Sequence, residues 1–310
     1  MLTALALTFA GLAILPTAAD RFVGSAGSLS QRLGVSPVLV GALLVGLGTS
    51  LPEALASGIA AWRGNPDFAV GNVVGSNVAN LTLVLGVAAL IAPVYLTRAL
   101  IRREGILMFG ATVLMTLFYI DGQIGVPEAI VLLVAMVVAI FLLTRWSAGE
   151  VDGLGDDDES TTTRLATVAV IAMVGTVIGA YLLVEGADRL AVELDITSAF
   201  VATTIVALGT SLPELATSVA AMRRRQGDLV LGNVIGSNLF NSLAVVGLAG
   251  VLGPGVVNDG FIPLMIAMVV ITVGAGILTE TRNKISLFEA TLLLGVFVVF
   301  FASAAPLLGA

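Results

Sequence analysis

The chain has no cysteine and no histidine among its 310 residues, and only 11% of its residues are charged. Without these residue types, disulfides, thiolate or imidazole metal sites and Cys- or His-dependent catalysis are excluded. A soluble domain carries about a quarter charged residues, whereas 58% of this chain is hydrophobic and its mean hydropathy is +1.07. These values exclude a water-soluble globular protein, and any ion site must be built from oxygen atoms.

Positive charge is also scarce, with 14 Lys and Arg against 21 Asp and Glu. Six acidic residues between 150 and 159 nearly account for the net charge of −7. Nucleic acid is therefore not an expected partner. Residues 146–164 are rich in Gly, Asp and Thr, which predicts an acidic cytoplasmic linker. A solvated segment is the expected role of such a run, and regulatory calcium binding is the alternative.

Outside residues 146–164 the sequence consists mainly of long apolar runs. Each is close to the length that crosses a bilayer, about 20 residues. We expect an all-α integral membrane protein with ten transmembrane helices. The first run has no Lys or Arg before it, so we expect a retained helix and not a secretory signal. The expected spans are residues 2–19, 37–61, 68–94, 105–120, 126–144, 165–187, 197–222, 229–253, 261–279 and 286–305.

The basic residues predict the orientation, since Lys and Arg in short loops stay on the cytoplasmic side. With ten spans, twelve basic residues lie on one side of the membrane and only Arg63 and Arg189 on the other. The chain is therefore expected in the cell (plasma) membrane, with both termini outside. We expect it to function as a monomer.

Two motifs occur twice at one offset. Leu47 to Glu53, with the sequence LGTSLPE, returns at Leu208 to Glu214, so the offset is 214 − 53 = 161. Between 46–86 and 207–247, 20 of 41 aligned positions are identical. This indicates a duplication, with repeats at 1–145 and 165–310. Because each repeat has five expected helices, an odd number, the second repeat enters the membrane in the opposite sense, a pattern typical of transporters.

The duplicated acidic residues, Glu53 and Glu214, lie inside apolar segments. Glu53 precedes Arg63 by ten residues and Glu214 precedes Arg223 by nine. At about 1.5 Å per residue this predicts that both carboxylates lie roughly 14 to 15 Å from an interface, near the middle of a ~30 Å hydrocarbon layer. No Lys or Arg is placed to neutralise them, so both are expected to have a function.

Each glutamate follows a proline, and the two prolines are Pro52 and Pro213. A proline lacks an N–H group and disrupts the preceding helical turn, which predicts a broken helix at the midplane. Such a break is tolerated where it is buried in protein or lines a cavity. The alternative is structural: Ser50 to Glu53 has the pattern of a capping box that restarts a helix.

The second duplicated motif runs from Gly71 to Asn80 and again from Gly232 to Asn241. Its glycines are typical of close helix packing. Ser76 and Asn80 lie four residues apart and share a helix face, so we expect these two and their repeats, Ser237 and Asn241, to line the site. Asn72 and Asn233 are expected to serve packing or hydrogen bonding.

Two carboxylates with hydroxyl, amide and carbonyl oxygens around them form a hard site of formal charge near −2. Ca²⁺ and Na⁺ suit such a site, whereas Mg²⁺ loses its water reluctantly. We expect these two ions to be transported, with no organic cofactor. Because no nucleophile–base pair is present, an enzyme is not expected.

The duplicated GTSLPE and GNV[VI]GSN motifs resemble the alpha repeats of the sodium/calcium exchanger family, within the calcium/cation antiporter superfamily. The resemblance implies that Glu53 and Glu214 are shared cation ligands and that Thr49 and Thr210 join the calcium site. It also implies that sodium sites are lined by four serines and completed by two backbone carbonyls. The serines are Ser50, Ser211, Ser76 and Ser237, and the carbonyls belong to Gly46 and Ala207.

The same resemblance implies alternating access by sliding of the first and sixth helices, with about three Na⁺ exchanged per Ca²⁺ and one net charge moved. Potassium-dependent relatives carry Asp where this chain has Asn241, so K⁺ dependence is not expected. A proton/calcium exchanger is the first alternative, although such relatives usually place more acidic residues at 75–77. A passive cation channel is a second alternative.

Overall fold

The computed structural model describes residues 1–146, 159–193 and 207–307. Within these ranges the chain is almost entirely helical. Seven of the described helices are long and apolar enough to cross a membrane, or eight spans if the bent pair Pro37–Thr49 and Leu51–Trp62 counts as one. The chain is therefore an all-helical, multi-pass membrane protein.

The described first part of the chain, up to Trp146, contains nine α-helices and two short strands. π-Helical turns join neighbouring helices at Gly41–Gly46, Asn80–Val84 and Ile101–Gly105. The helices are α1 Leu2–Leu33, α2 Pro37–Val40, α3 Leu47–Thr49, α4 Leu51–Trp62, α5 Pro66–Ala79, α6 Leu85–Ile91, α7 Arg98–Leu100, α8 Ile106–Phe118 and α9 Val126–Trp146. The strands are β1 Val94–Tyr95 and β2 Gln123–Ile124.

The described second part follows the same pattern, with one π-helical turn at Phe240–Val245. Its helices are α10 Glu159–Glu193, α11 Ala207–Thr210, α12 Leu212–Arg223, α13 Gly227–Leu239, α14 Val246–Leu252, α15 Phe261–Arg282 and α16 Leu287–Leu307. Its strands are β3 Gly255–Val256 and β4 Lys284–Ile285.

The offset between the two copies of the motifs also relates the elements around them. The first positions of α4 and α12 differ by 212 − 51 = 161, and those of α9 and α16 differ by 287 − 126 = 161. The strands keep the offset too, since 255 − 94 = 161 and 284 − 123 = 161. β1 pairs antiparallel with β4, and β2 pairs antiparallel with β3. Each strand thus pairs across the repeats, which interlocks the two parts of the chain.

The centre of the bundle is formed by one helix from each repeat. The stretch Pro66–Ile91, which contains α5 and α6, has 72% of its apolar window buried, and the stretch Gly227–Leu252 has 78%. The other five continuous span candidates are only 28 to 33% buried. Those five expose broad apolar faces that suit lipid, and the motif residues after Pro66 and Gly227 lie at the core.

Close packing in the core depends on glycine. A Cβ atom on Gly232 would lie 2.2 Å from the carbonyl oxygen of Val38, and one on Gly236 would lie 2.2 Å from that of Ala42. Non-bonded atoms do not approach this closely. Helix α13 can therefore pack against α2 and the π-helical turn after it only because Gly232 and Gly236 have no side chains. The equivalent Gly71 and Gly75 have phenylalanine side chains as their nearest described neighbours.

The helices expected as the first and sixth spans, α1 and α10, pack against each other. A Cβ atom on Gly11 would lie 2.5 Å from the backbone nitrogen of Leu183, and one on Gly179 would lie 2.6 Å from that of Leu15. Small residues on both helices therefore let the two backbones come into contact over more than one turn.

The expected end of the first span at residue 19 is wrong, because α1 continues to Leu33. The charged residues Asp20 and Arg21 lower the hydropathy there, but one face of the helix stays apolar and buried, as Phe22 and Val23 show. The helix ends where Gly34 takes a left-handed conformation with φ 61° and its N–H group bonds to the Ser30 carbonyl.

The extended part of α1 contacts the turn after α12. Arg224 donates to Asp20 through Nε at 2.8 Å and through Nη2 at 2.7 Å. Both side chains are partly exposed, so this ion pair orients the two elements more than it stabilises them.

Three further expectations agree with the described structure only in part. The expected span at 105–120 corresponds to α8, which has 13 residues of regular α-helix and is preceded by a π-helical turn. Of the expected span at 197–222, the structure describes only α11 and α12. Residues 147–158 of the expected linker lie outside the described residues, and α10 begins at Glu159. The count of ten helices stays a prediction.

Gly236→Ala should destabilise the protein because its new methyl group would overlap the backbone at Ala42. We expect a loss of about 1 to 3 kcal/mol, the usual effect of overpacking. Gly274→Ala is the matched control, because a Cβ atom there meets no atom within 4 Å. The measurement is the thermal unfolding midpoint of purified protein in detergent, and equal midpoints for the two variants would contradict the packing argument.

Candidate cation-binding site

Both duplicated LGTSLPE motifs break a helix at the same residue. Ser50 has φ −89° and ψ 7°, and Ser211 has φ −87° and ψ 3°. Pro52 and Pro213 follow in the first turn of the new helices, where a missing N–H group costs nothing. The described helices on either side of Ser50 are bent by 43°. The expected break is therefore present, and Thr49, Ser50 and Glu53 around it are buried.

A new helix begins after Ser50, but the Ser50 side chain does not cap it. It occupies the N-cap position of α4 without a capping hydrogen bond from its side chain. Its hydroxyl group instead donates to Oε1 of Glu214 at 2.8 Å. The capping box of the structural alternative is therefore absent, because the Ser50 hydroxyl contacts the carboxylate of the other repeat and the Glu53 carboxylate has no described partner.

The two carboxylates are buried at the centre of the protein. Glu53 is 0% exposed and Glu214 is 1% exposed. In the described chain, ion pairs join Arg189 to Glu185 and Arg224 to Asp20, and neither Glu53 nor Glu214 contacts a basic residue. Each lies in the first turn of a helix, where the helix dipole favours negative charge by at most about 2 kcal/mol.

Hydroxyl groups surround Glu214. Besides Ser50, the neighbouring Thr49 places a second buried hydroxyl group at this break. The Ser237 hydroxyl donates to the backbone carbonyl of Gly46 at 3.2 Å. This half of the site therefore brings together one carboxylate, three hydroxyl groups and a carbonyl from both repeats.

The half of the site around Glu53 has fewer internal contacts. Among the described residues, neither Oε1 nor Oε2 of Glu53 has a hydrogen-bond partner, and the same holds for the hydroxyl groups of Ser76 and Ser211. All three side chains are buried. Buried polar atoms without partners cost about 1 to 3 kcal/mol each, so a cation that binds them supplies interactions the described protein does not.

Asn72 and Asn233 hold the two broken helices together. Asn233 donates to the Glu214 carbonyl at 3.2 Å and to the Ser218 hydroxyl at 3.0 Å, and its Oδ1 accepts from Thr49 at 3.3 Å. The hydrogen-bonding role expected for Asn233 is therefore present, and it crosses from one repeat to the other.

Asn72 repeats this pattern. It donates to the Glu53 carbonyl at 3.4 Å and to the Ser57 hydroxyl at 2.9 Å, and it accepts from Thr210 at 3.3 Å. Each threonine expected at the calcium site thus bonds to the asparagine of the opposite repeat.

The predicted site residues occupy the two breaks and the two central helices. Their described side chains are buried except for that of Thr210, which is half-buried. Ala207 is the first described residue of α11, and its carbonyl role stays a prediction.

Several further polar residues at the site were not singled out by comparing the repeats. Ser57 and Ser218 lie four residues after the glutamates, so helical spacing could have identified them. Asn77 and Asn238 were visible as motif residues without a role. Ser242 gave no such signal, because its counterpart in the first repeat is Leu81.

The donor set is entirely oxygen. No group of three or more His, Cys, Asp or Glu side chains that could hold a metal ion occurs in the described ranges. Two carboxylates give a formal charge near −2, and hydroxyl, amide and carbonyl oxygens add neutral ligands. Hard cations that tolerate flexible, oxygen-rich coordination fit this set, and Ca²⁺ takes six to eight such ligands.

Comparisons with known proteins agree with this chemistry. The family model described as "Sodium/calcium exchanger protein" matches residues 3–145 and 165–304. The putative antiporter CaxA of Alkalimonas amylolytica is 38% identical over 266 residues, covering 83% of each chain. The sodium/calcium exchanger MaX1 of Methanosarcina acetivorans is 31% identical over 335 aligned residues, covering 94% of this chain and 95% of that one.

A solved structure has the same fold. It is the sodium-calcium exchanger NCX_Mj soaked with 10 mM Na⁺ and zero Ca²⁺, and it matches 97% of this chain and 99% of its own with a TM-score of 0.89 and 28% identity.

Asn233→Ala should destabilise the protein, because it removes the buried amide that accepts from Thr49 and donates to the Glu214 carbonyl and the Ser218 hydroxyl. We expect a loss of about 2 kcal/mol or more, since each of these three hydrogen bonds contributes about 0.5 to 1.5 kcal/mol. Asn65→Ala is the control, because Asn65 is an exposed helix cap worth about 1 kcal/mol. Thermal unfolding in detergent tests this, and a smaller loss for Asn233→Ala than for Asn65→Ala would refute the bridging role.

Proposed function

The chain belongs to the sodium/calcium exchanger family, and we propose that it exchanges Na⁺ for Ca²⁺ across the cell membrane by alternating access, electrogenically and without K⁺. Members of this family are transporters, so the chain is a cation/Ca²⁺ antiporter and not an enzyme. The transported ions are its substrates.

The observation that carries the proposal is the buried, unneutralised pair Glu53 and Glu214. Two carboxylates excluded from water need compensating charge, which one Ca²⁺, two or more Na⁺ or protons supply. Because the same two groups would serve either ion, Ca²⁺ and Na⁺ exclude each other. Mutually exclusive occupancy couples the two fluxes without further machinery.

The ligand roles follow the resemblance to the family. We propose that Glu53 and Glu214 bind both ions and that Thr49 and Thr210 contribute to the calcium site. The flanking sodium sites would use Ser50, Ser211, Ser76 and Ser237 with the carbonyls of Gly46 and Ala207. Asn80 and Asn241 would line the centre. The contact between Ser237 and the Gly46 carbonyl supports this grouping, because it joins two proposed ligands of one sodium site.

We propose ten spans in two inverted five-helix repeats. The constant offset between equivalent helices and strands supports the duplication, and the odd helix number supports the inversion. The pairing of β1 with β4 supports the orientation, because it brings Lys284 to the same end of the bundle as the loop before Arg98. That end is the one with twelve basic residues, so we propose that it is cytoplasmic and that both termini lie outside. We further propose that the monomer is functional.

Differences between equivalent residues support alternating access. The Ser50 hydroxyl bonds to Glu214, whereas the equivalent Ser211 hydroxyl has no partner among the described residues. In an inverted repeat, exchange of these two arrangements would exchange the side from which the site is reached. The helix pair α1 and α10, with its glycine contacts, is the proposed sliding unit.

Na⁺-loaded proteoliposomes should accumulate ⁴⁵Ca²⁺ when diluted into Na⁺-free buffer, and Glu53→Gln or Glu214→Gln should reduce the uptake at least about tenfold. Each substitution removes one of the two compensated charges, and a tenfold effect corresponds to about 1.4 kcal/mol. Glu128→Gln is the control, because Glu128 lies at the start of α9 and outside the site. Uptake by the buried-site variants equal to that of Glu128→Gln would contradict the proposal.

The same vesicles separate the alternatives. With one net charge moved per cycle, a 100 mV potential contributes about 2.3 kcal/mol and should change the Ca²⁺ gradient at equilibrium about 40-fold. Replacing K⁺ by an organic cation at zero potential should leave uptake unchanged. Uptake driven only by a pH gradient would indicate proton/calcium exchange, and flux without any gradient coupling would indicate a channel.

A further inference from the structure

Two asparagines at equivalent positions have different surroundings. Asn80 donates its Nδ2 group to Oδ1 of Asn238 at 3.0 Å. Asn241 is 0% exposed, yet neither its Nδ2 nor its Oδ1 has a hydrogen-bond partner among the described residues. One amide is therefore held by the protein, and the other is not.

The repeat identifies the partner that Asn241 lacks. The counterpart of Asn238 is Asn77, since 238 − 161 = 77. Asn77 instead donates its Nδ2 group to the Ser242 hydroxyl at 2.8 Å, with the sulfur of Met268 at 3.7 Å. Its Oδ1 atom is buried without a described partner, although this atom is the acceptor that Asn241 would need.

The hydroxyl group that Asn77 contacts has no counterpart in the first repeat. The position equivalent to Ser242 is Leu81, since 242 − 161 = 81. Leucine has no hydrogen-bonding group, so nothing there draws Asn238 away from Asn80. Asn238 donates to the Asn77 carbonyl at 3.3 Å and keeps its Oδ1 atom for Asn80.

The two amides therefore present oxygen to the site in different ways. Because Nδ2 of Asn80 is bound, its Oδ1 atom has a fixed direction. The Asn241 amide can rotate about its terminal bond, so it loses conformational freedom when its oxygen coordinates a cation. Ligands fixed in advance bind more tightly, because less freedom is lost on binding.

We propose that Ser242 is a positioning residue that holds Asn77 away from Asn241, leaves the Asn241 amide free to turn, and so sets the balance between Ca²⁺ and Na⁺ at the site. This inference rests on the proposed function. Ca²⁺ takes six to eight oxygen ligands, so an additional fixed oxygen favours Ca²⁺ more than Na⁺. Ser242 therefore keeps Ca²⁺ binding weak enough for Na⁺ to displace it.

The test is equilibrium ⁴⁵Ca²⁺ binding to the purified, detergent-solubilised full chain, with Na⁺ as competitor. In Ser242→Ala, Asn77 loses its hydroxyl partner and can accept from Asn241 as Asn238 accepts from Asn80. We expect the ratio of the Na⁺ inhibition constant to the Ca²⁺ dissociation constant to rise by about 3- to 10-fold, the effect of one net hydrogen bond.

Two control variants separate positioning from loss of a buried hydroxyl. Ser242→Thr keeps the hydroxyl group and should restore the wild-type ratio. Thr82→Val removes a buried hydroxyl that bonds only within its own helix, to the Val78 carbonyl, and should leave the ratio unchanged. A shift in Thr82→Val as large as that in Ser242→Ala would overturn the inference.

The mirror variant Leu81→Ser should act in the opposite direction. Its new hydroxyl would draw Asn238 away from Asn80, release the Asn80 amide and lower the ratio. This variant also carries the test if Ser242→Ala does not fold, as judged by its thermal unfolding midpoint. An unchanged ratio in both variants would overturn the inference.

Failure of the two proposals can be told apart. If wild type binds Ca²⁺ in competition with Na⁺ but does not exchange the ions in vesicles, the proposed function fails and the binding ratios still decide the role of Ser242. If wild type exchanges the ions and the ratios do not move, only the role of Ser242 fails. Absence of any Ca²⁺ binding by wild type would overturn both.

Discussion

The burial of two carboxylates without a basic partner constrains the rest of the structure. Glu53 and Glu214 lie at the centre of an apolar bundle, where an uncompensated charge costs several kcal/mol. The protein provides hydroxyl, amide and carbonyl oxygens around them but no opposite charge from the described residues. A core of this kind is stable only when protons or cations complete it. The helix breaks serve the same need, because Pro52 and Pro213 lack the N–H group that would bond to the carbonyl four residues earlier.

Neither repeat can form the site alone. The asparagine of one repeat supports the glutamate of its own broken helix and accepts a hydrogen bond from the threonine of the other. Ser50 reaches Glu214, and Ser237 reaches the Gly46 carbonyl. The strand pairs β1–β4 and β2–β3 cross between the repeats in the same way. Ligand geometry is thus tied to the packing of the two repeats against each other, and a relative movement of their elements must change the site.

Duplicated sequence does not produce duplicated contacts. Ser50 is bonded where Ser211 is not. This difference comes from the conformation of the chain, since both residues are serine. The difference between Asn80 and Asn241 has another origin, because the equivalent neighbours Leu81 and Ser242 are different residues. That difference is present in every conformation of the chain.

The sequence by itself determined the membrane environment, the helical class, the duplication and the all-oxygen character of the site, because these depend on composition and on the spacing of residues along one chain. It also located the helix breaks, since proline acts on the turn that contains it. The end of α1 was misplaced because hydropathy falls at Asp20 while one helix face stays buried. Only the tertiary structure decided which hydroxyl contacts which carboxylate, that Asn72 and Asn233 bridge the repeats, and that Ser242 holds Asn77. Those contacts join residues about 140 to 190 positions apart, and no local pattern encodes the packing that brings such residues together.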